Sequence, residues 1–193
     1  MRHFSLPKDG GLIEENLPKG ILHSFEKINT EIFDDAAIGS DRVADIIVKA
    51  IKDHEKAALP RPFKLGLTTG RTPISLYSNL TRQFKEGKVS FANVEVFSID
   101  EYYPCGSDSI QSRNHRLHDE FLDQVDVRKE NIHIPDGSVS KEEISDYCAE
   151  FDRIARGIDL LVIGVGEGGQ VGFNEAGSTE KSVRGGHLVC EEG

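Results

Sequence analysis

The sequence has no tryptophan, a single methionine and three cysteines, Cys105, Cys148 and Cys190. An odd number of widely spaced cysteines supports neither a disulfide framework nor a zinc site. No apolar run approaches the roughly 20 residues of a membrane-spanning helix, and the first residues lack the apolar segment of a secretory signal. These absences predict a protein of the reducing cytoplasm without a membrane partner.

Blocks of basic residues are missing as well. The net charge is −10, from 23 lysines and arginines against 33 aspartates and glutamates. The phosphates of a nucleic acid or of an acidic membrane would be repelled by such a chain, so neither is expected as a partner. A small anion is still a suitable ligand, because it needs only a local basic or backbone N–H pocket.

Segments with strand-like and helix-like patterns alternate from residue 32 onward. Strands are predicted at 32–33, 63–67, 94–99, 132–134 and 158–163. Helices are predicted between them, starting near Asp34, Thr72, Ser112 and a capping box at 140–143. Strands separated by helices pair in parallel through right-handed crossovers. The sequence therefore predicts one α/β domain over residues 32–193, after an N-terminal extension at 1–31.

Local detail is predicted for two helices and one strand. The first helix has an apolar stripe that consists of Val43, Ile46, Ile47, Ala50 and Ile51. The second helix is expected to have Thr72 as its cap and Pro73 at its first helical position. The unbroken apolar run at 158–163 predicts a buried parallel strand.

The loop at residues 66–73 is the first of three loops whose residues are suited to ligand binding or catalysis. Gly70 lets the backbone approach an anion, and the following helix N-terminus adds its dipole. Hydroxyls of Thr69 and Thr72, with Arg71, could donate further hydrogen bonds. Phosphate is the expected ligand, and an ordinary strand-to-helix turn with a capping threonine is the open alternative.

The other two loops each contain a carboxylate. Asp100-Glu101-Tyr102 follows the strand at 94–99, where an aspartate in a partly dry cleft can act as a general base. A solvated acidic turn is the alternative. Glycines at 164, 166, 168 and 169 follow the strand at 158–163 and form a possible anion nest, with Glu175 beyond it. Since all three loops follow parallel strands, they are expected to meet at one edge of the sheet.

These three loops together resemble the sugar-phosphate isomerase family typified by glucosamine-6-phosphate deaminase. The family's Thr-Gly-x-Thr-Pro loop corresponds to residues 69–73, its Asp-Glu-Tyr to 100–102, and its Phe-Asn-Glu to 173–175. The resemblance covers residues 32 to 178 and implies a modified Rossmann-like, mostly parallel sheet flanked by helices. The Phe-Asn-Glu favours the deaminase branch, and the related 6-phosphogluconolactonases are a weaker alternative.

The resemblance implies that glucosamine 6-phosphate is converted to fructose 6-phosphate and ammonia without a metal or redox cofactor. Asp100 matches the aspartate that moves a proton between C2 and C1, and Glu175 matches the glutamate that supports a ring-opening histidine. The phosphate would be held by residues of the glycine-containing loops, namely Thr69, Gly70, Arg71, Thr72 and Gly166. Because relatives are commonly homo-oligomers, a homo-oligomer is expected here.

Gln170 stands where the family has its ring-opening histidine. An amide cannot accept and return a proton near neutral pH, whereas imidazole can. The family also continues beyond Glu175 with an arginine and a lysine that hold the phosphate, so its C-terminal part is expected to be missing from this sequence. Two functions follow from the resemblance: a deaminase in which Gln170 is compensated, or a catalytically impaired homologue that binds sugar phosphates.

Overall fold

Parallel strands form the centre of the computed structural model, which describes residues 30–172 and the backbone of 187–190. The strands are β1 (Phe63–Leu67), β2 (Val94–Ser98), β3 (Asp100–Tyr103), β4 (Ile132–His133), β5 (Leu160–Leu161) and β6 (His187–Cys190). Four of them form one sheet in the order β4-β2-β1-β5, with every pairing parallel. β3 and β6 form a second parallel pair. The predicted parallel α/β architecture is therefore confirmed.

Within the described residues, one α-helix precedes β1 and three others connect later strands. They are α1 (Ala36–Lys56), α2 (Ile74–Lys85), α3 (Arg113–Glu120) and α4 (Ile144–Ile154). Contacts between residues divide the chain into two compact units, Met1–Gly39 and Ser40–Gly193, and the second contains both sheets. The boundary predicted near residue 32 stays a prediction.

The core of the second unit lies where α1 and α2 cover β1 and β2. Strands β1 and β2 are buried at four of their five positions, as expected for a parallel sheet covered on both faces. On α1 the buried apolar residues are Ala44, Ile47, Val48 and Ile51. Their spacing is helical, but the face is rotated from the predicted stripe, and Ile46 is 40% exposed.

Two predicted strand assignments are wrong. Ile32 and Phe33 are exposed and lie outside any strand, because a two-residue apolar pair is too short to indicate one by itself. The run at 158–163 forms only the two-residue strand β5, and Leu161 is 45% exposed. Apolar composition alone did not distinguish a buried strand from the outer strand of this sheet.

Three helix ends also differ from the prediction. Pro73, not Thr72, is the N-cap of α2, and no side chain donates or accepts a capping hydrogen bond there. α3 ends at Glu120 and is followed by a 3-10 turn at Leu122–Gln124 instead of continuing to residue 125. In the predicted capping box, the Ser140 hydroxyl contacts the Glu143 carboxylate, and α4 begins only at Ile144.

The amino ends of β1 and β5 are held together by an arginine–aspartate pair. Arg61 donates from Nη1 and Nη2 to the two carboxylate oxygens of Asp159, both at 2.6 Å. Asp159 also accepts from the backbone N–H of Lys64 at 2.9 Å. The Lys64 ammonium donates to the carbonyls of Ile154 and Arg156, at 2.7 and 3.1 Å. These contacts fix the end of α4 and the start of β5 against β1.

Candidate active site

The carboxyl ends of β1, β2 and β5 lie at the same edge of the sheet. Leu67 is paired with Ser98 and Gly66 with Leu161, so the three candidate segments follow neighbouring strands side by side. The second segment, predicted as a loop, is the start of strand β3. A Cβ placed on Gly172, at the end of the third loop, would lie 3.6 Å from Asp100 Oδ2. The predicted meeting of the second and third loops is therefore confirmed at Gly172.

Asp100 is the carboxylate at the centre of this edge. Its side chain is buried, with a residue exposure of 5%, and Oδ1 accepts no hydrogen bond from the described residues. Among the described residues it pairs with Arg113, whose Nε lies 3.9 Å from Oδ1. Burial raises the pKa of Asp100, the Arg113 charge lowers it, and the neighbouring Glu101 carboxylate raises it. The alternative of a solvated acidic turn is wrong.

Glu101 is buried as well but is fully engaged. Oε1 accepts from the backbone N–H groups of Tyr102 and Arg113, both at 2.8 Å. Oε2 accepts from the Ser112 hydroxyl at 2.7 Å and from the backbone N–H of Asn114 at 3.0 Å. Three of these donors lie at the start of α3, where the helix dipole favours an anion. Glu101 therefore anchors α3 to β3 and has little capacity left for substrate.

Arg113 lies beside Asp100 because Glu101 holds the start of α3 in place. Its guanidinium lies over the Tyr102 ring, 4.6 Å from the ring centroid, and Nη2 donates to the Tyr102 hydroxyl at 3.0 Å. Only 14% of the Arg113 side chain is exposed. Stacking and hydrogen bonding together restrict the guanidinium to one position.

Two side chains, one from α2 and one from α3, hold the first loop at residues 66–73 in place. The Tyr77 hydroxyl on α2 donates to the carbonyl of Thr68, and burial raises the pKa of Tyr77. Arg116 on α3 donates to the carbonyl of Gly70 at 3.4 Å and pairs with Glu120 at 2.7 Å. These contacts hold the loop next to the helix that also carries Arg113.

The residues predicted to bind phosphate differ from one another in burial and in backbone conformation. Thr69 Oγ1 is buried and has no hydrogen-bond partner among the described residues. Gly70 has a φ of 140°, a conformation that side-chain-bearing residues rarely adopt. Arg71 and Thr72 are exposed, and Thr72 is free to face a ligand since it does not cap α2. Their assignment to phosphate binding stays a prediction.

The third loop turns back on itself. The backbone N–H of Gly166 donates to the Gln170 carbonyl at 2.8 Å, and the Gln170 side-chain oxygen accepts from the backbone N–H of Gly168 at 3.0 Å. A Cβ on Gly166 would lie 2.3 Å from the Gln170 amide nitrogen, so this amide covers Gly166. Glu175 lies outside the described residues.

Two arginines and one serine lie at this site but were not predicted from the sequence to belong to it. Arg113 and Arg116 are three residues apart and therefore share one face of α3, which follows β3 after the loop at residues 104–112. Ser112, fully buried, is the cap that accepts from the His115 backbone N–H and donates to Glu101. The spacing of the arginines was a readable signal, but their direction toward Asp100 depends on the tertiary contact of Glu101 with α3.

A metal is not indicated by the part of the chain that the structure describes. Within residues 30–172 and 187–190, no group of three histidine, cysteine or acidic side chains is arranged to hold an ion. His118 contacts the Asp123 carboxylate at 2.8 Å. The chemistry available at this edge is therefore that of a buried carboxylate, arginine charges and backbone N–H groups.

A buried carboxylate thus lies beside a glycine-containing loop at the carboxyl end of a parallel sheet, which is the place where open α/β sheets bind their ligands. Residues 34–172 match the family described as glucosamine-6-phosphate isomerases/6-phosphogluconolactonase. The chain belongs to this family. The resemblance drawn from the three loops is thereby confirmed.

Sequence relatives point to the same family. A glucosamine-6-phosphate deaminase-like protein of Bacteroides thetaiotaomicron is 38% identical over 173 residues, which is 88% of this chain and 26% of that protein. A glucosamine-6-phosphate deaminase of Thermoanaerobacter sp. is 37% identical, over 70% of this chain and 52% of the enzyme. A glucosamine-6-phosphate isomerase of Candida albicans is 36% identical, over 78% and 59%. The chain thus spans between a quarter and three fifths of these relatives.

Solved structures share the fold. A monomeric glucosamine-6-phosphate deaminase matches with a TM-score of 0.68 and 28% identity, over 76% of this chain and 59% of that chain. A 6-phosphogluconolactonase from Thermotoga maritima matches with a TM-score of 0.59 over 73% and 61%, and its 23% identity supports the fold alone. Among the described residues, no helix is long and apolar enough to cross a bilayer.

Proposed function

We propose that this chain binds glucosamine 6-phosphate and converts it to fructose 6-phosphate and ammonia. The observation that carries the proposal is Asp100, a buried carboxylate with a raised pKa at the edge where the candidate loops meet, with Oδ2 facing Gly172 of the third loop. A carboxyl whose pKa is raised toward the operating pH is a suitable acid–base group.

The proposed reaction needs a proton transfer and a hydrolysis. Asp100 takes the proton from C2 of the open-chain sugar and returns it to C1, while the amine nitrogen loses a proton and O1 gains one, so that C1 becomes an alcohol and C2 an imine. Water adds at C2, the C2–N bond breaks, and the nitrogen leaves as ammonia. No electron is gained or lost, so the reaction needs no redox cofactor.

The phosphate is proposed to lie on the first loop. Thr69 offers a buried hydroxyl, and Gly70 permits close approach of the backbone. Arg71 and Thr72 are exposed at the same loop, and Gly166 is proposed to contribute from the third loop. Arg71 adds an exposed positive charge at this loop, which favours an anion there despite the net charge of −10.

Gln170 supports a second candidate function, a homologue that binds sugar phosphate with impaired catalysis. Its amide is engaged within its own turn and cannot exchange a proton near neutral pH. Loss of an acid–base group typically costs about 100- to 10,000-fold in rate. Glu175, which the sequence resemblance makes the other candidate acid–base residue, would have to compensate, or the enzyme would use sugar that is already open.

Ammonia release from glucosamine 6-phosphate, measured beside calorimetric binding of the same sugar, separates the two candidates. We expect binding together with turnover that Asp100→Asn abolishes while leaving binding largely intact. Asp146→Asn, an exposed carboxylate of α4, is the matched control and should have no effect. Binding without ammonia above background would favour the impaired homologue. Hydrolysis of 6-phosphogluconolactone would instead indicate the lactonase branch.

Two further properties are proposed from the family and the composition. We expect a cytoplasmic enzyme of amino-sugar breakdown, since its proposed substrate is a phosphorylated metabolite. We also expect a homo-oligomer, although one solved relative is described as monomeric. Light scattering at assay concentration tests the second expectation.

A further inference from the structure

The two oxygens of the Asp100 carboxylate face different parts of the site. Oδ1 faces the Arg113 guanidinium, with 3.9 Å between Oδ1 and Nε. Oδ2 faces Gly172, since a Cβ on that glycine would approach it to 3.6 Å. Gly172 belongs to the third loop, at the ligand-binding edge of the sheet. One oxygen therefore faces a fixed cation and the other faces the edge where substrate would bind.

The position of Arg113 is set by contacts that do not involve Asp100. Its backbone N–H donates to Glu101 Oε1, its Nη2 donates to the Tyr102 hydroxyl, and its guanidinium stacks on the Tyr102 ring. The cation is therefore already in place before substrate arrives. Such an arrangement acts on a neighbouring carboxylate without reorganisation during the reaction.

We propose that Arg113 is the positioning residue of Asp100: it holds the carboxylate ionised through Oδ1 and so makes Oδ2 the oxygen that exchanges the proton with substrate. This inference rests on the proposed role of Asp100 as the base. Arg113 itself touches neither the sugar nor the reacting carbon in this scheme. Its effect reaches the substrate through the charge and orientation of Asp100.

Other groups around Asp100 do not supply the same charge. Glu101, on the same strand, is negative and raises the pKa of Asp100, while its oxygens are engaged at the start of α3. Tyr77, on α2, is buried and its pKa is raised, so its hydroxyl stays neutral. From β6, His187 is in register with Asp100. Arg113 is the cation that lowers the pKa of Asp100 against the effect of burial.

The direct test is a carbon NMR titration of the Asp100 side chain, with the resonance assigned by its loss in Asp100→Asn. The full chain is compared with Arg113→Met, which keeps length and removes charge, and with Arg113→Lys, which keeps charge. We expect a higher Asp100 pKa in Arg113→Met and an intermediate value in Arg113→Lys. Arg153→Met removes an exposed arginine of α4 and should leave the titration unchanged.

The pH dependence of ammonia release gives a second readout. Arg113→Met should lose about tenfold in kcat/KM at pH 6 and less than about threefold at pH 8.5, because a base with a higher pKa is protonated over more of the acid range. An equal loss at both pH values, with an unchanged titration of Asp100, would overturn the positioning role. If the unaltered protein releases no ammonia, the proposed function fails, and the titration still decides the role of Arg113.

Discussion

Two aspartates at opposite ends of the sheet are each paired with an arginine, yet their pKa values shift in opposite directions. Asp159, at the amino end, accepts two hydrogen bonds from Arg61 at 2.6 Å, and these lower its pKa to about 2. Asp100, at the carboxyl end, has its arginine 3.9 Å away, and burial raises its pKa.

The difference lies in hydrogen bonding. A nearby cation lowers the pKa of a carboxylate, and N–H groups that donate hydrogen bonds to it directly favour the ionised form most strongly. Asp159 is satisfied and holds two chain segments together. Asp100 has a buried oxygen, Oδ1, that accepts no hydrogen bond from the described residues, which costs stability, and its other oxygen, Oδ2, faces Gly172. The amino end of the sheet is built for stability, and the carboxyl end keeps an unsatisfied group for chemistry.

The largest expected effect is on Asp100. Asp100→Asn should reduce ammonia release by about 100- to 10,000-fold, because the amide cannot exchange the proton. Because its pKa is higher in the folded than in the unfolded protein, ionised Asp100 destabilises the fold as pH rises above the ordinary carboxyl range. The variant should therefore have a higher Tm than the unaltered protein at pH 8, with a smaller difference at pH 4. Full turnover in the variant would remove Asp100 from the base role.

Adding an acid–base group at the carboxyl end should have the next largest effect. Gln170→His restores the residue type that the family has at this position, and we expect a 10- to 100-fold gain in ammonia release, within the range of a single acid–base group. The gain should shrink as the pH decreases from 7.5 to 5.5, because the histidine becomes protonated below its pKa. Gln124→His, on a turn outside the site, is the control. A rate unchanged by Gln170→His would mean that another group already opens the ring.

Glu101 sharpens the comparison, since it is a buried carboxylate that lies next to Asp100 but is fully hydrogen-bonded. Glu101→Gln places an amide N–H₂ among four donors and should lower the free energy of unfolding by about 2–3 kcal/mol. For a chain of this size the Tm should fall by roughly 6 °C. Glu142→Gln, an exposed change on the segment before α4, should leave Tm within about 1 °C. Equal Tm values for both variants would show that Glu101 does not anchor α3.

The smallest expected effect is on the amino-end pair. Asp159→Asn should lower the free energy of unfolding at pH 7 by about 0.5–1 kcal/mol, since Arg61 is partly exposed and its pairing is screened. With a pKa lowered to about 2, Asp159 contributes stability above the ordinary carboxyl pKa and loses it as pH falls toward 2. Urea unfolding at pH 7 and pH 2.5 should thus show a difference that shrinks in acid. Asp53→Asn serves as an exposed control, and a difference that grows in acid would contradict the assignment.

Local patterns in the sequence were sufficient to predict the parallel sheet and the edge where the loops meet. β1 was predicted to the residue, and β2 to within one residue, because short apolar runs bounded by turn residues are typical of buried parallel strands. The same reasoning failed for 158–163, where burial depends on which strand lies beside β5. Composition contains no information on strand order.

The candidate site was predicted only in part for a similar reason. Asp100 could be proposed from its place after a strand. The roles of Glu101 and Arg113 could not be proposed, because they depend on the start of α3 docking onto β3 across the loop at residues 104–112. Thr72 was assigned as a cap on helix-start preference, whereas the following proline forms the cap without a side-chain hydrogen bond.

The most direct test of the central claim is the formation of fructose 6-phosphate from glucosamine 6-phosphate by the purified chain, followed by coupled reduction of a nicotinamide reporter. We expect product from the unaltered protein, and product reduced at least about 100-fold in Asp100→Asn, which should still bind the sugar phosphate. Equal product from both proteins would contradict the assignment of Asp100 as the proton-transferring residue. No product from either would contradict the proposed reaction.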